Sequence, residues 1–113
     1  MHELALAQNI LDIVKQEMER HGATRVHCIR LIVGEFTALV PESLTFCFEV
    51  ITKGTPLEGV RIEMDTVPLR GRCRVCGAEF QIRNYFFSCP GCESQDIETI
   101  AGKELLIKEI EAE

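Results

Sequence analysis

Several absences narrow the reading before any motif is considered. No apolar run approaches the ~18–20 residues that cross a bilayer as a helix, so no membrane-spanning helix is expected. The start of the chain lacks the basic segment and apolar stretch of a secretory signal, which points to an intracellular, cytoplasmic protein. There is no G-x-S-x-G, the segment Val33-Gly34-Glu35-Phe36 lacks the spacing of a phosphate-binding loop, and no Ser/His/Asp set emerges. No enzyme is therefore expected. Internal repeats and low-complexity tracts are missing, and no histidine lies beyond His27.

What remains is a chain of 113 residues, 46% apolar and 27% charged, the size of one ordinary globular domain. Any sub-module would need a staple of its own. The net charge of −6 opposes non-specific binding to nucleic acid or to an anionic membrane. That charge is unevenly spread: Arg70, Arg72, Arg74 and Arg83 face only Glu79 within residues 70–92, while the segments on either side are acidic. A local basic stretch suits either an acidic or phosphate-bearing partner or a solvated surface.

Leu4, Ala7, Leu11, Val14 and Met18 recur at helical steps, predicting an amphipathic helix from Glu3 to about Arg20 that Gly22 terminates. Residues 25–34, RVHCIRLIVG, are β-branched and apolar on both faces and read as a strand covered by that helix. Pro41 suits a first helical position, and Leu44, Cys47, Phe48 and Ile51 continue at helical spacing to Gly54. In residues 59–67 Val60, Ile62, Met64 and Thr66 alternate with Arg61, Glu63 and Asp65, the pattern of a half-exposed antiparallel strand. KELLIKEIEAE at the end reads as another strand with a frayed, charged tail. The expected architecture is α+β: two helices packed on a small, about three-stranded and mainly antiparallel sheet formed by residues 1–67 and 100–113. A zinc-ribbon-like domain, residues 68–99, is inserted into it.

The insert carries the most specific signal. Cys73-x-x-Cys76 and Cys89-x-x-Cys92 are two tight turns that each aim two thiolates at one centre, the four-ligand set of a closed structural zinc site. The intervening FQIRNYFF would pair as a short hairpin, with Tyr85, Phe86 and Phe87 covering the knuckles. Few large aliphatic residues lie there, so metal binding would supply most of the folding free energy, on the order of 10 kcal/mol for structural zinc. Four thiolates also suit a rubredoxin-like iron; two disulfides would need an oxidising compartment, and redox-active pairs would need a thioredoxin-like frame. A filled zinc shell has no position for a catalytic water. Cys28 and Cys47 sit on apolar faces and read as buried small hydrophobes; His21 and His27 carry no functional assignment.

The first three residues offer a second donor set. The Met1 amine, the His2 amide nitrogen and imidazole, and the Glu3 carboxylate can form the tetragonal N,O arrangement favoured by Ni(II) or Cu(II). Taken alone, an early histidine is ordinarily a solvent-exposed side chain, and an early glutamate is explained by the helix dipole.

MHELALAQNILDIV, RLIVGEFTALVPESLTFCFEVITKGTPLEG, the C-x-x-C and C-P-x-C pairs and GKELLIKEIE together resemble the HypA/HybF family of hydrogenase maturation nickel metallochaperones, over nearly the whole chain. The resemblance implies nickel bound at Met1, His2 and Glu3, and structural zinc held by Cys73, Cys76, Cys89 and Cys92. It implies delivery, together with a nickel-binding GTPase, to the large subunit of [NiFe] hydrogenase, with some members also serving urease. Some relatives carry histidines beside the zinc cysteines; this chain does not. The competing reading is a zinc-ribbon module that contacts nucleic acid or protein through its four arginines and stacks bases on its aromatics.

Overall fold

The computed structural model describes residues 2–113; Met1, one of the expected nickel ligands, lies outside them. The described chain is α+β and divides into two compact units. The first comprises the chain up to Ile32, Leu39–Asp65 and Leu106–Glu113, and the second comprises Val33–Ala38 and Thr66–Leu105.

In the first unit, helix α1 spans Glu3–His21 and buries Ala7, Ile10, Leu11, Val14 and Met18. Leu4 shares their spacing but is 58% exposed, because that stripe is left uncovered at the first turn. Gly22 ends the helix in the left-handed region, φ 65°, and the Ala23 N–H closes onto the Met18 carbonyl at 2.9 Å. Glycine takes that left-handed conformation at least steric cost. Helix α2, Pro41–Thr52, packs against α1 and buries Leu44, Phe48 and Thr52. It stops two residues before Gly54 because Thr52 Oγ1 donates back to the Phe48 carbonyl at 2.7 Å and Thr55 Oγ1 caps the Thr52 carbonyl at 2.6 Å.

Strand β1, Val26–Gly34, is the middle of a three-stranded sheet between β2, Arg61–Val67, and the last strand of the chain, Leu105–Ala112. Its central place explains burial on both faces: Val26, Cys28, Ile29, Leu31 and Val33 are all in the core. Away from the core, Arg30 donates to Glu63 and Glu109, each at 2.8 Å, and meets Glu111 at 3.1 Å, tying together all three strands. The charged tail is not frayed. The Glu113 N–H donates to the Arg25 carbonyl at 2.9 Å, its carbonyl accepts from Thr24 at 2.8 Å, and its carboxylate lies 2.7 Å from His27 Nε2.

The second unit holds a separate sheet of β3, Arg70–Cys73, β4, Glu79–Gln81, and β5, Ile97–Ala101, with β3 central and antiparallel to both neighbours. The final strand, Leu105–Ala112, is thus β6. The expected hairpin within FQIRNYFF does not form. Residues 79–81 pair with β3 around the first cysteine knuckle, where the Cys73 N–H donates to the Ala78 carbonyl at 2.9 Å. Asn84 and Tyr85 have positive φ and turn the chain. Gly71 is where β3 meets its core: a Cβ there would lie 2.6 Å from Ile97 Cγ2 and 2.9 Å from Ile82 Cδ1. Leu69, Ile82, Cys73 and Cys89 of this unit are also buried. Phe36, in a 3₁₀ turn at Glu35–Thr37, donates its N–H to the Gly102 carbonyl at 2.8 Å. Its ring meets Tyr85 and Phe87 edge-on, with centroids at 6.0 and 6.4 Å.

Candidate metal centre

The two C-x-x-C turns converge. The sulfurs of Cys73, Cys76, Cys89 and Cys92 all lie within 4.8 Å of one another, with the Cys73–Cys92 and Cys76–Cys89 contacts each at 3.5 Å. A tetrahedron of Zn–S bonds of roughly 2.3 Å has edges of about 3.8 Å, so the donor set matches a four-thiolate metal in size and in chemistry. Among the described residues this is the only group of three or more His, Cys, Asp or Glu side chains able to hold a metal. None of the six cysteines is joined in a disulfide.

Each knuckle turns its own backbone toward sulfur. The Cys76 N–H points at Cys73 Sγ at 3.5 Å, and the Gly91 and Cys92 N–H groups point at Cys89 Sγ at 3.4 Å. Donors aimed at a thiolate favour the ionised form. The Cys76 N–H accordingly lowers the Cys73 thiol to about 6 against the opposing effect of burial, and the Cys92 N–H lowers Cys89 in the same way. Their partners move the other way. Cys92 receives the Ser94 N–H, which alone would acidify it, but the neighbouring Cys73 sulfur, burial and the other two thiols push it up to about 12. Cys76 is drawn down by the Ala78 N–H and raised further by Cys89 and burial, with a net rise. Four sulfurs this close cannot all ionise without a cation among them. A divalent ion would resolve that repulsion.

The other sequence-derived candidates are dispersed. His2 is exposed and precedes α1 with φ −87° and ψ 85°, making no side-chain cap; its carbonyl accepts the Leu6 N–H at 3.2 Å. Glu3 is the first residue of α1, half-buried, and accepts from Ser43 Oγ at 3.4 Å. Nothing in the sequence pattern marked Ser43, since the contact spans forty residues. His21 pairs with Glu17 at 3.3 Å and His27 with Glu113. Cys28 is buried as expected, whereas Cys47 is only half-buried. Of the arginine stretch, Arg72 is paired with Glu79 at 3.4 Å and Arg74 with Asp96 at 3.3 Å, which halves the basic surface available to nucleic acid. Phe86, expected over the knuckles, is 71% exposed.

Comparison with known proteins gives concordant results. Residues 1–112 match the family model described as "Hydrogenase/urease nickel incorporation, metallochaperone, hypA". The chain is 41% identical over 113 residues to hydrogenase maturation factor HypA of Geobacter sulfurreducens, covering both chains completely. It is 42% identical to the protein of the same name from Nostoc sp., covering all of this chain and 96% of that one. Among solved structures it is similar to the solution structure of the Ni metallochaperone HypA from Helicobacter pylori, with TM-score 0.70, 16% identity and coverage of 99% and 97%. A second solution structure, of "HypA protein", superposes with TM-score 0.75 at 16% identity, covering 99% and 96%. These two likenesses establish the fold.

Proposed function

Because the chain belongs to the HypA family of hydrogenase/urease nickel-incorporation metallochaperones, which are maturation factors and not enzymes, we propose that it binds Ni(II) through Met1, His2 and Glu3 and releases it to a maturing nickel enzyme. The four thiolates of Cys73, Cys76, Cys89 and Cys92 hold a structural Zn(II), which supplies the cross-link that folds the second unit. The cargo passes, with a nickel-binding GTPase, to the large subunit of [NiFe] hydrogenase or to urease, in the cytoplasm. No helix of the described residues is long and apolar enough to cross a membrane.

The observation that carries this reading is the closure of the sulfur cluster. Its four donors satisfy one tetrahedral ion among themselves, so a transferable ion has to be held elsewhere, and the N,O donors of residues 1–3 suit nickel. A carrier also has to let go. A few ligands at a chain end release more readily than a closed cage, and amine, amide and imidazole donors must lose protons to bind, so acid loosens the cargo.

Calorimetry with Ni(II) on untagged protein, paired with elemental analysis, tests the assignment. His2→Ala should lose tight nickel binding while zinc content and melting temperature stay unchanged. An N-terminal tag should do comparable damage by removing the free amine. Nickel found by X-ray absorption solely on sulfur would overturn the proposal.

A further inference from the structure

We infer that Ser43 is a positioning residue for the nickel end of the chain. It holds the Glu3 carboxylate and thereby fixes the backbone from which His2 presents its amide and imidazole. The inference rests on the proposed nickel site, but its geometry is independent of that reading. Glu3 is the first residue of α1 and Ser43 the third of α2, and the two helices pack together. Ser43 Oγ donates to Glu3 Oε1 at 3.4 Å, and Glu3 Oε2 is buried. The carboxylate therefore lies at the start of its own helix and within reach of the first turn of another, both of which carry the partial positive charge of unsatisfied N–H groups. It is placed by α2 as well as by α1.

His2 differs. It is exposed, makes no side-chain cap hydrogen bond, and among the described residues its carbonyl accepts the Leu6 N–H at the start of α1. Planar coordination by consecutive main-chain nitrogens demands one conformation of residues 2 and 3. A chain end whose third residue is already anchored loses less freedom on meeting the metal. An oriented Glu3 carboxylate gains likewise when it closes the fourth position. Among the described residues, Ser43 meets the proposed donors through its hydrogen bond to Glu3.

Ser43→Ala should weaken Ni(II) binding about tenfold, the scale of one hydrogen bond to a charged group. Melting temperature and zinc content should stay at wild-type values, because the change leaves an adequate residue within the first turn of α2. Ser43→Thr, which keeps the hydroxyl, should restore the affinity. Glu3→Gln should also weaken binding, and adding Ser43→Ala to it should cost little more, since both act through one contact. His2→Ala, titrated with Ni(II) in parallel, separates the two ideas. Wild-type affinity in Ser43→Ala, with nickel lost in His2→Ala, would refute the role of Ser43 and leave the nickel site standing. Nickel retained in His2→Ala would remove the site and the inference together.

Discussion

Acidity is split within each cysteine knuckle, and that split sets how the tetrad meets its metal. Cys73 is held near 6 and Cys89 is also lowered, whereas Cys92 stands near 12 and Cys76 is raised. A lowered thiol stabilises the fold above its ordinary value of roughly 8.5, and that contribution is lost as pH falls through the folded value. A raised thiol does the opposite: its contribution is complete below the ordinary value and is lost as pH climbs toward the folded one. Zinc needs all four as thiolates. At neutral pH at least Cys76 and Cys92 must therefore shed protons on binding, and zinc affinity should fall by about a hundredfold per unit of acidification from pH 7, more steeply once Cys73 also protonates near 6. Competition against a chelator of known affinity at several pH values measures this slope. A slope of one proton or fewer would contradict the split.

At the scale of elements, Phe36 shows what pattern reading can and cannot reach. Helices α1 and α2 and strands β1 and β6 announce themselves because their apolar residues repeat with the period of the structure they form, and Gly22 and Pro41 mark ends that favour those residues. Strands β3 to β5 are three to five residues long and largely charged or small, too short for any period to emerge. β3 and β4 pair around the knuckle between Cys73 and Ala78, and β5 joins β3 across twenty or more residues of sequence. The tetrad itself was legible from spacing alone, whereas the N–H groups aimed at its sulfurs, and Ser43 beside Glu3, follow only from the folded backbone. Phe36 is equally silent in sequence, yet it fastens residues 33–38 to the aromatic turn at 85–87. Phe36→Ala should destabilise the second unit by about 1–2 kcal/mol, from two edge-to-face contacts of roughly 0.5–1.5 kcal/mol each on a ring that is partly exposed. Faster amide exchange at Gly102 and through 84–88 would reveal it.

Across the whole molecule, distant parts of the chain are joined by charge as well as by apolar burial. Arg30 gathers Glu63, Glu109 and Glu111, and its hydrogen bond holds the Glu63 carboxyl below the usual carboxylate range. Arg30→Met should leave three carboxylates facing one another and lower the melting temperature at neutral pH. The gap to wild type should narrow as pH falls through the carboxylate range, because the native chain then loses the pairing that the variant never had. Thermal melts at pH 7 and pH 4 give the comparison. The path of the chain between its two units has a practical outcome of its own. The backbone passes from one to the other at 32/33, 38/39, 65/66 and 105/106, so neither is a contiguous stretch that could be excised whole. A peptide of residues 66–105 would contain all four sulfurs of the tetrad yet leave Phe36 behind, and with it the hydrogen bond that Phe36 gives to Gly102.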